Sequence, residues 1–200
     1  MTRTEAMEYY TKAQKQGQRD YREKPAAGQS PFLPVLDDIL QNVEVESQLP
    51  LGLIEVPLEL VIGTKTAGRT AAFASNFMPL LEVKTEFGNK WTSLCIAHLE
   101  EGIRDPIRCF EYLGRFYVQE GNKRVSVLKF FDASSVPANV TRVVPRYNET
   151  PEVRLYYEFM RYYPLIKTYA LQFTKPGSFA RLQKLMGKGP EEAWSNDDRA

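Results

Sequence analysis

Apolar positions along this chain recur first at helical spacing, then in alternation, then at helical spacing again. Residues 4–23 are strongly polar, with Met7, Tyr10 and Ala13 forming a thin stripe and Thr4 standing where an N-cap would. That pattern predicts a solvated helix packed along one edge. Residues 24–34 hold three prolines and one glycine and read as a linker. In 35–45, Val35, Leu36, Ile39, Leu40 and Val43 share one face of a short amphipathic helix. Residues 51–62 are apolar and β-branched on both sides of Pro57, which predicts a strand, a proline-containing turn and a second apolar edge. Trp91, Leu94, Cys95 and His98 line one face of a core helix that Gly102 closes at its C′ position.

The second half starts with strands. Residues 107–112 and 116–119 are joined through Leu113-Gly114-Arg115, a hairpin connection, and 138–144 alternate as a further strand. Between them lies an apolar helical segment, 125–131. Residues 152–169 carry Tyr156, Tyr157, Phe159, Tyr162, Tyr163 and Tyr169 at helical spacing, interrupted by Pro164. Aromatic rings so spaced predict core, although Arg154, Arg161 and Lys167 among them also suit stacking on single-stranded bases. Thr174 to Ser178 supplies a cap for a helix over 179–186, closed by Gly187, and 190–200 opens one more. The expected organisation is an N-terminal helical arm and linker (1–48), an α/β domain with a small mixed β-sheet and packed helices (49–146), and a helical extension (147–200). The tail stops without a helix-ending signal, which reads as a piece of a longer protein.

Composition narrows the chemistry. An apolar share of 43% in 200 residues is enough for a sizeable core, and a net charge of +1 leaves polyanion binding to a local patch. Cys95 and Cys109 lack metal-ligand spacing and His98 is the single histidine, so no metal site and no disulfide framework is expected. His98 itself reads as a packed helix residue. No apolar run approaches membrane-spanning length, and the N-terminus lacks a secretory pattern, so the chain is expected in the cytoplasm with no membrane partner.

The candidate chemistry sits between Phe116 and Phe131. Tyr117 and Val118 lead into Glu120-Gly121-Asn122-Lys123-Arg124, and the helical run Val125, Leu128, Phe131 follows at once. A strand, a glycine turn, a basic pair and a helix start aim backbone N–H groups and two cations at one place, which suits a phosphate or other anion. Glu120 has three available roles: positioning the cations, holding Mg²⁺ against phosphates, or ending the strand. Gly63 to Thr70 is a second loop of small, hydroxyl and basic residues, without the spacing of a Walker A loop.

This order of hairpin, Glu120–Arg124 box and apolar helix resembles the ParB N-terminal and sulfiredoxin-like superfamily. The segments 54–69 and Gly102 to Ile107 complete the likeness, which covers 54–144 and is met at the N-terminus of longer bacterial proteins. The resemblance implies a ParB/sulfiredoxin-like fold and a nucleoside triphosphate with Mg²⁺ as ligand. Gly121, Lys123 and Arg124 would hold its phosphates, while Thr64, Lys65, Thr66 and Arg69 close over it. The setting implied is a regulatory or DNA-associated bacterial protein, acting with DNA or a protein partner and as a homodimer. Asn122 stands where ParB proteins carry a glutamate and where sulfiredoxins carry their reactive cysteine. Sulfinic-acid reduction is therefore not expected, and nucleotide hydrolysis is not implied. The alternatives are a protein-interaction module without a small ligand and a ParB-like nuclease, for which Glu100, Glu101, Asp105 and Glu120 lack a metal-holding spacing. As an exposed phosphate contact, Arg124 is expected to tolerate replacement by alanine with a stability change within about 1 kcal/mol.

Overall fold

The computed structural model describes residues 1–199; Ala200 and the side chain of Arg69 lie outside the described residues. Five strands form one mixed sheet in the order β1-β5-β3-β4-β2. They are β1 (Val45–Pro57), β2 (Val61–Thr64), β3 (Ile107–Tyr112), β4 (Arg115–Glu120) and β5 (Ser135–Pro145). β3 and β4 pair as a hairpin whose turn residues, Leu113 and Gly114, both take positive φ, 49° and 76°. Such a two-residue turn matches the right-handed twist of its flanking strands. β3 runs parallel to β5 and β4 runs parallel to β2, while β1 adds to β5 antiparallel.

One face of the sheet is covered by α1 (Arg3–Ala26), α3 (Glu86–Glu100) and α4 (Asn122–Phe130). Tyr10, Trp91, Val125 and Leu128 meet Phe116 and Val118 of β4 there. Each such fully buried large side chain contributes roughly 1.5–3 kcal/mol through removal from water. Trp91 also donates from Nε1 to Ser126 Oγ at 2.9 Å, so α3 and α4 are joined by a polar as well as an apolar contact. Helices α5 (Pro151–Ile166) and α6 (Ser178–Leu185) extend the same core through Tyr156, Phe159 and Phe179, joined by Tyr169 of the segment between them, and α7 (Asn196–Arg199) ends the described chain. Burial of these rings removes them from base stacking. The opposite face carries α2 (Leu36–Leu40), whose Leu36 packs on Tyr112, Tyr117 and Val143.

The α/β architecture with a small mixed sheet is as expected, and several boundaries move. Thr2, not Thr4, caps α1, because Glu5 stands three residues on and completes a reciprocal capping box. The helix then runs to Ala26, so the linker begins later. The helix expected over 35–45 shrinks to Leu36–Leu40, since Val45 already pairs with Pro145 as the start of β1. Pro164 does not interrupt α5, which continues to Ile166. The backbone hydrogen bond lost at a helical proline is outweighed by packing on the inner face of the helix, where Phe159, Tyr163 and Tyr169 meet, while Pro164 itself faces solvent. Ser178 is not the cap of α6; the Glu158 carboxylate accepts from the amides of Gly177 and Phe179, at 2.5 and 3.0 Å.

The thiols are core residues, and the histidine is half-buried at the core's edge. Cys95 and Cys109 are free and buried, and burial pushes their pKa up to about 11 and about 12. His98 lies 5.3 Å from the Phe131 ring, and burial lowers its pKa.

Candidate functional site

Gly121 follows β4 with φ 108°, and an added Cβ there would meet Ile107 Cγ2 at 2.6 Å. Both the dihedral and the close approach require glycine. The helix α4 starts at the next residue, so Asn122, Lys123 and Arg124 form its first turn instead of preceding it as a basic turn. Gly121 provides no side-chain cap, the first turn contains no acidic residue, and the first backbone bond of the helix is Val125 N to Gly121 O at 3.0 Å. The helix start thus keeps orphan amides and the positive end of its dipole.

A cavity of about 180 Å³ opens at this point, lined by Phe73, Leu94 and residues 119–124. Glu120, Gly121, Asn122, Lys123 and Arg124 all face it, which brings together five of the nine expected site residues. Asn122 is only 7% exposed, and its Oδ1 is buried without a hydrogen-bond partner. Lys123 Nζ lies 4.7 Å from the Phe87 ring centroid, a cation–π position on the cavity's rim.

Arg124 differs from the expected exposed contact. Its Nη1 donates to the carbonyls of Pro106 (2.7 Å) and Asp105 (3.1 Å), and its Nη2 is 3.7 Å from Glu120 Oε1. The guanidinium therefore clamps the loop entering β3 onto α4. Hydrogen bonds from a charged group contribute about 1.5–3 kcal/mol, so Arg124→Ala is expected to lower stability by roughly 1–3 kcal/mol. A urea melt indistinguishable from the parent protein would show that the clamp is idle. Glu120 also stands 3.7 Å from Arg108 Nε, between two guanidinium groups. Among the described residues no group of three or more His, Cys, Asp or Glu side chains is arranged to hold a metal ion.

The expected second wall lies elsewhere. Pairing of Thr64 with Val118 brings the end of β2 beside β4, but Thr64 is buried and donates from Oγ1 to Val118 O at 3.1 Å. Lys65 pairs with Asp37 of α2 and sits 5.1 Å over the Phe110 ring, on the sheet face opposite Phe73 and Leu94. Thr66 is exposed at the head of a 3-10 turn, Ala67–Ala72, which contains Arg69. Thr64, Lys65 and Thr66 do not line the cavity; the Arg69 side chain lies outside the described residues. A neighbouring cleft of about 630 Å³ shares Leu94 and Arg124 and adds Glu100, Glu101 and Asp105.

Sequence reasoning missed a polar centre inside the core. Arg142 Nε donates to Glu111 Oε2 at 2.6 Å, and Arg142 Nη2 donates to Tyr169 Oη at 2.6 Å. Tyr156 Oη donates to the same Glu111 oxygen at 2.7 Å, and Gly114 N donates to Oε1 at 2.7 Å. Burial first, then the Glu111 charge, holds both tyrosine pKa values far above their ordinary value. The available signal was the strand's alternation, which puts Glu111 on the same face as Ile107 and Cys109, opposite the exposed Arg108.

No family model and no curated protein matches the chain. Among solved structures it is similar to the sulfiredoxin from Arabidopsis thaliana, with 19% identity over 44% of this chain and 82% of that chain, at a TM-score of 0.30. A likeness of that size assigns no residue at the Gly121 turn a role.

Proposed function

We propose that the Gly121 turn binds the phosphates of a nucleotide, in a protein of regulatory or DNA-associated function. The observation that carries this reading is the convergence of residues 120–124 on one cavity at the start of an uncapped helix. Orphan amides, the helix dipole and Lys123 all favour negative charge there. Three or four charge-assisted bonds at the upper end of about 1.5–3 kcal/mol each reach micromolar affinity. The cavity accommodates phosphate groups, and the nucleoside extends toward the neighbouring cleft. Glu100, Glu101 and Asp105 oppose a bare polyanion in that cleft, which favours the Mg²⁺-bound nucleotide.

Calorimetric titration with CTP, ATP and GTP, each with Mg²⁺, tests the reading. Lys123→Glu is the informative variant, because an acidic residue in the first turn suits the helix dipole while repelling phosphate. The expected result is at least a tenfold loss of affinity with stability kept within about 1 kcal/mol. Undiminished affinity in that variant removes the site. The engagement of Arg124 with loop carbonyls favours a second reading, a protein-interaction module in which the turn is structural. Absence of any thermal shift with all three nucleotides selects it.

A further inference from the structure

A different cavity lies at the other end of β4, where the β3–β4 turn meets α5, α6 and the segment 171–173. It measures about 210 Å³, and its walls are Leu155, Tyr156, Phe159, Leu171, Phe173 and Phe179. The rings hold one another in place: Phe173 meets Phe179 edge-on at 4.7 Å, and Phe159 lies 5.9 Å from Phe179. The hydroxyl of Tyr156 is committed to Glu111, so this wall presents its carbon surface. An engineered apolar cavity of about 150 Å³ holds benzene. The volume here accommodates one aromatic ring and a short substituent.

A single cation is placed at this apolar space. Arg115 donates from Nη1 to Gln172 Oε1 at 3.0 Å, and Gln172 donates from Nε2 to Tyr169 O at 3.0 Å, which fixes the amide's orientation and the guanidinium with it. Among the described residues no carboxylate lies within ion-pair distance of Arg115. A planar guanidinium with donors to spare is matched bidentately by a carboxylate. Glu152, exposed in the first turn of α5, also borders the cavity and opposes a second negative charge on the ligand.

We propose that this cavity binds a compact aromatic monocarboxylate, with the ring among Phe159, Phe173 and Phe179 and the carboxylate on Arg115. The site is independent of the Gly121 turn, since Arg115 begins β4 and Glu120 ends it.

Phenylacetate and its neutral analogue 2-phenylethanol, titrated separately into the full chain and followed by protein NMR, test the proposal. A ligand of this size is expected to bind with a dissociation constant on the order of 1 mM. Phenylacetate should bind at least about fivefold tighter than the alcohol, and only the acid should weaken as salt is raised. Arg115→Gln should remove that advantage and leave the alcohol's affinity unchanged, which also certifies that the cavity persists. Leu155→Trp, which fills the space, should abolish both. Equal affinity for acid and alcohol in the parent protein overturns the proposal. So does failure of both to bind at about 10 mM, or undiminished binding after Leu155→Trp.

Discussion

Glu111→Gln is expected to lower the unfolding free energy by about 3–5 kcal/mol, because it leaves the Arg142 guanidinium charged and unpaired inside the core. Glu111 is 0% exposed and Arg142 5%, so neither group has water to turn to. Domains of this size are stable by only about 5–15 kcal/mol, so the substitution consumes a large part of the margin. The melting temperature should fall by roughly 10 °C. The loss extends beyond one ion pair. The carboxylate also accepts from Tyr156 and Gly114, and Arg142 in turn donates to Tyr169, so one charge joins the central strands to the hairpin turn and to the C-terminal helices. Replacing Glu111 and Arg142 together by methionine should recover part of the stability, since the unpaired charge goes with its partner. The remaining deficit reports the orphaned hydroxyls and amide. A loss below about 1 kcal/mol for Glu111→Gln would mean that water reaches Arg142.

Gly121→Ala carries the second-largest expected effect, a loss of about 2–4 kcal/mol from two separable causes. A φ of 108° lies outside what an alanine adopts without strain, worth roughly 1–3 kcal/mol. The new methyl also arrives 2.6 Å from Ile107 Cγ2, in a core with no room to give. Combining it with Ile107→Ala makes space for the methyl, so the two losses should sum to more than the double variant shows. The part that persists measures the backbone alone. Strict additivity in urea denaturation would sink the close-approach argument. The same turn positions the first amides of α4, so the proposed nucleotide binding predicts a lower affinity for Gly121→Ala even where the protein remains folded.

Local signals on this chain were informative wherever neighbours in sequence are also neighbours in space. Trp91, Leu94 and Cys95 recur with helical period, and Gly102 takes φ 79° just past the end of α3, as a C′ glycine should. The hairpin of β3 and β4 and the glycine turn were readable for the same reason, although α4 begins three residues before its apolar run, and five of the expected site residues line one cavity. The expected role of Arg124 was incomplete because its partners, the carbonyls of Asp105 and Pro106, lie almost twenty residues upstream. Lys65, expected to close over the nucleotide, instead pairs with Asp37 on the face that α2 covers. Alternation shows that side chains switch sides, but it does not show which side holds α2 and Asp37.

The sequence by itself determined the element types, the mixed α/β class and the glycine-bent, basic entry to α4, because these depend on period, turn chemistry and backbone sterics within a few residues. Only the tertiary structure decided the strand order, and with it the parallel register that sets Glu111 opposite Arg142. It also decided which face α2 covers and that the aromatic segment closes a core and a cavity. Those outcomes depend on pairing between segments far apart in the chain, and burying a charge becomes tolerable only when a distant partner arrives at the same place.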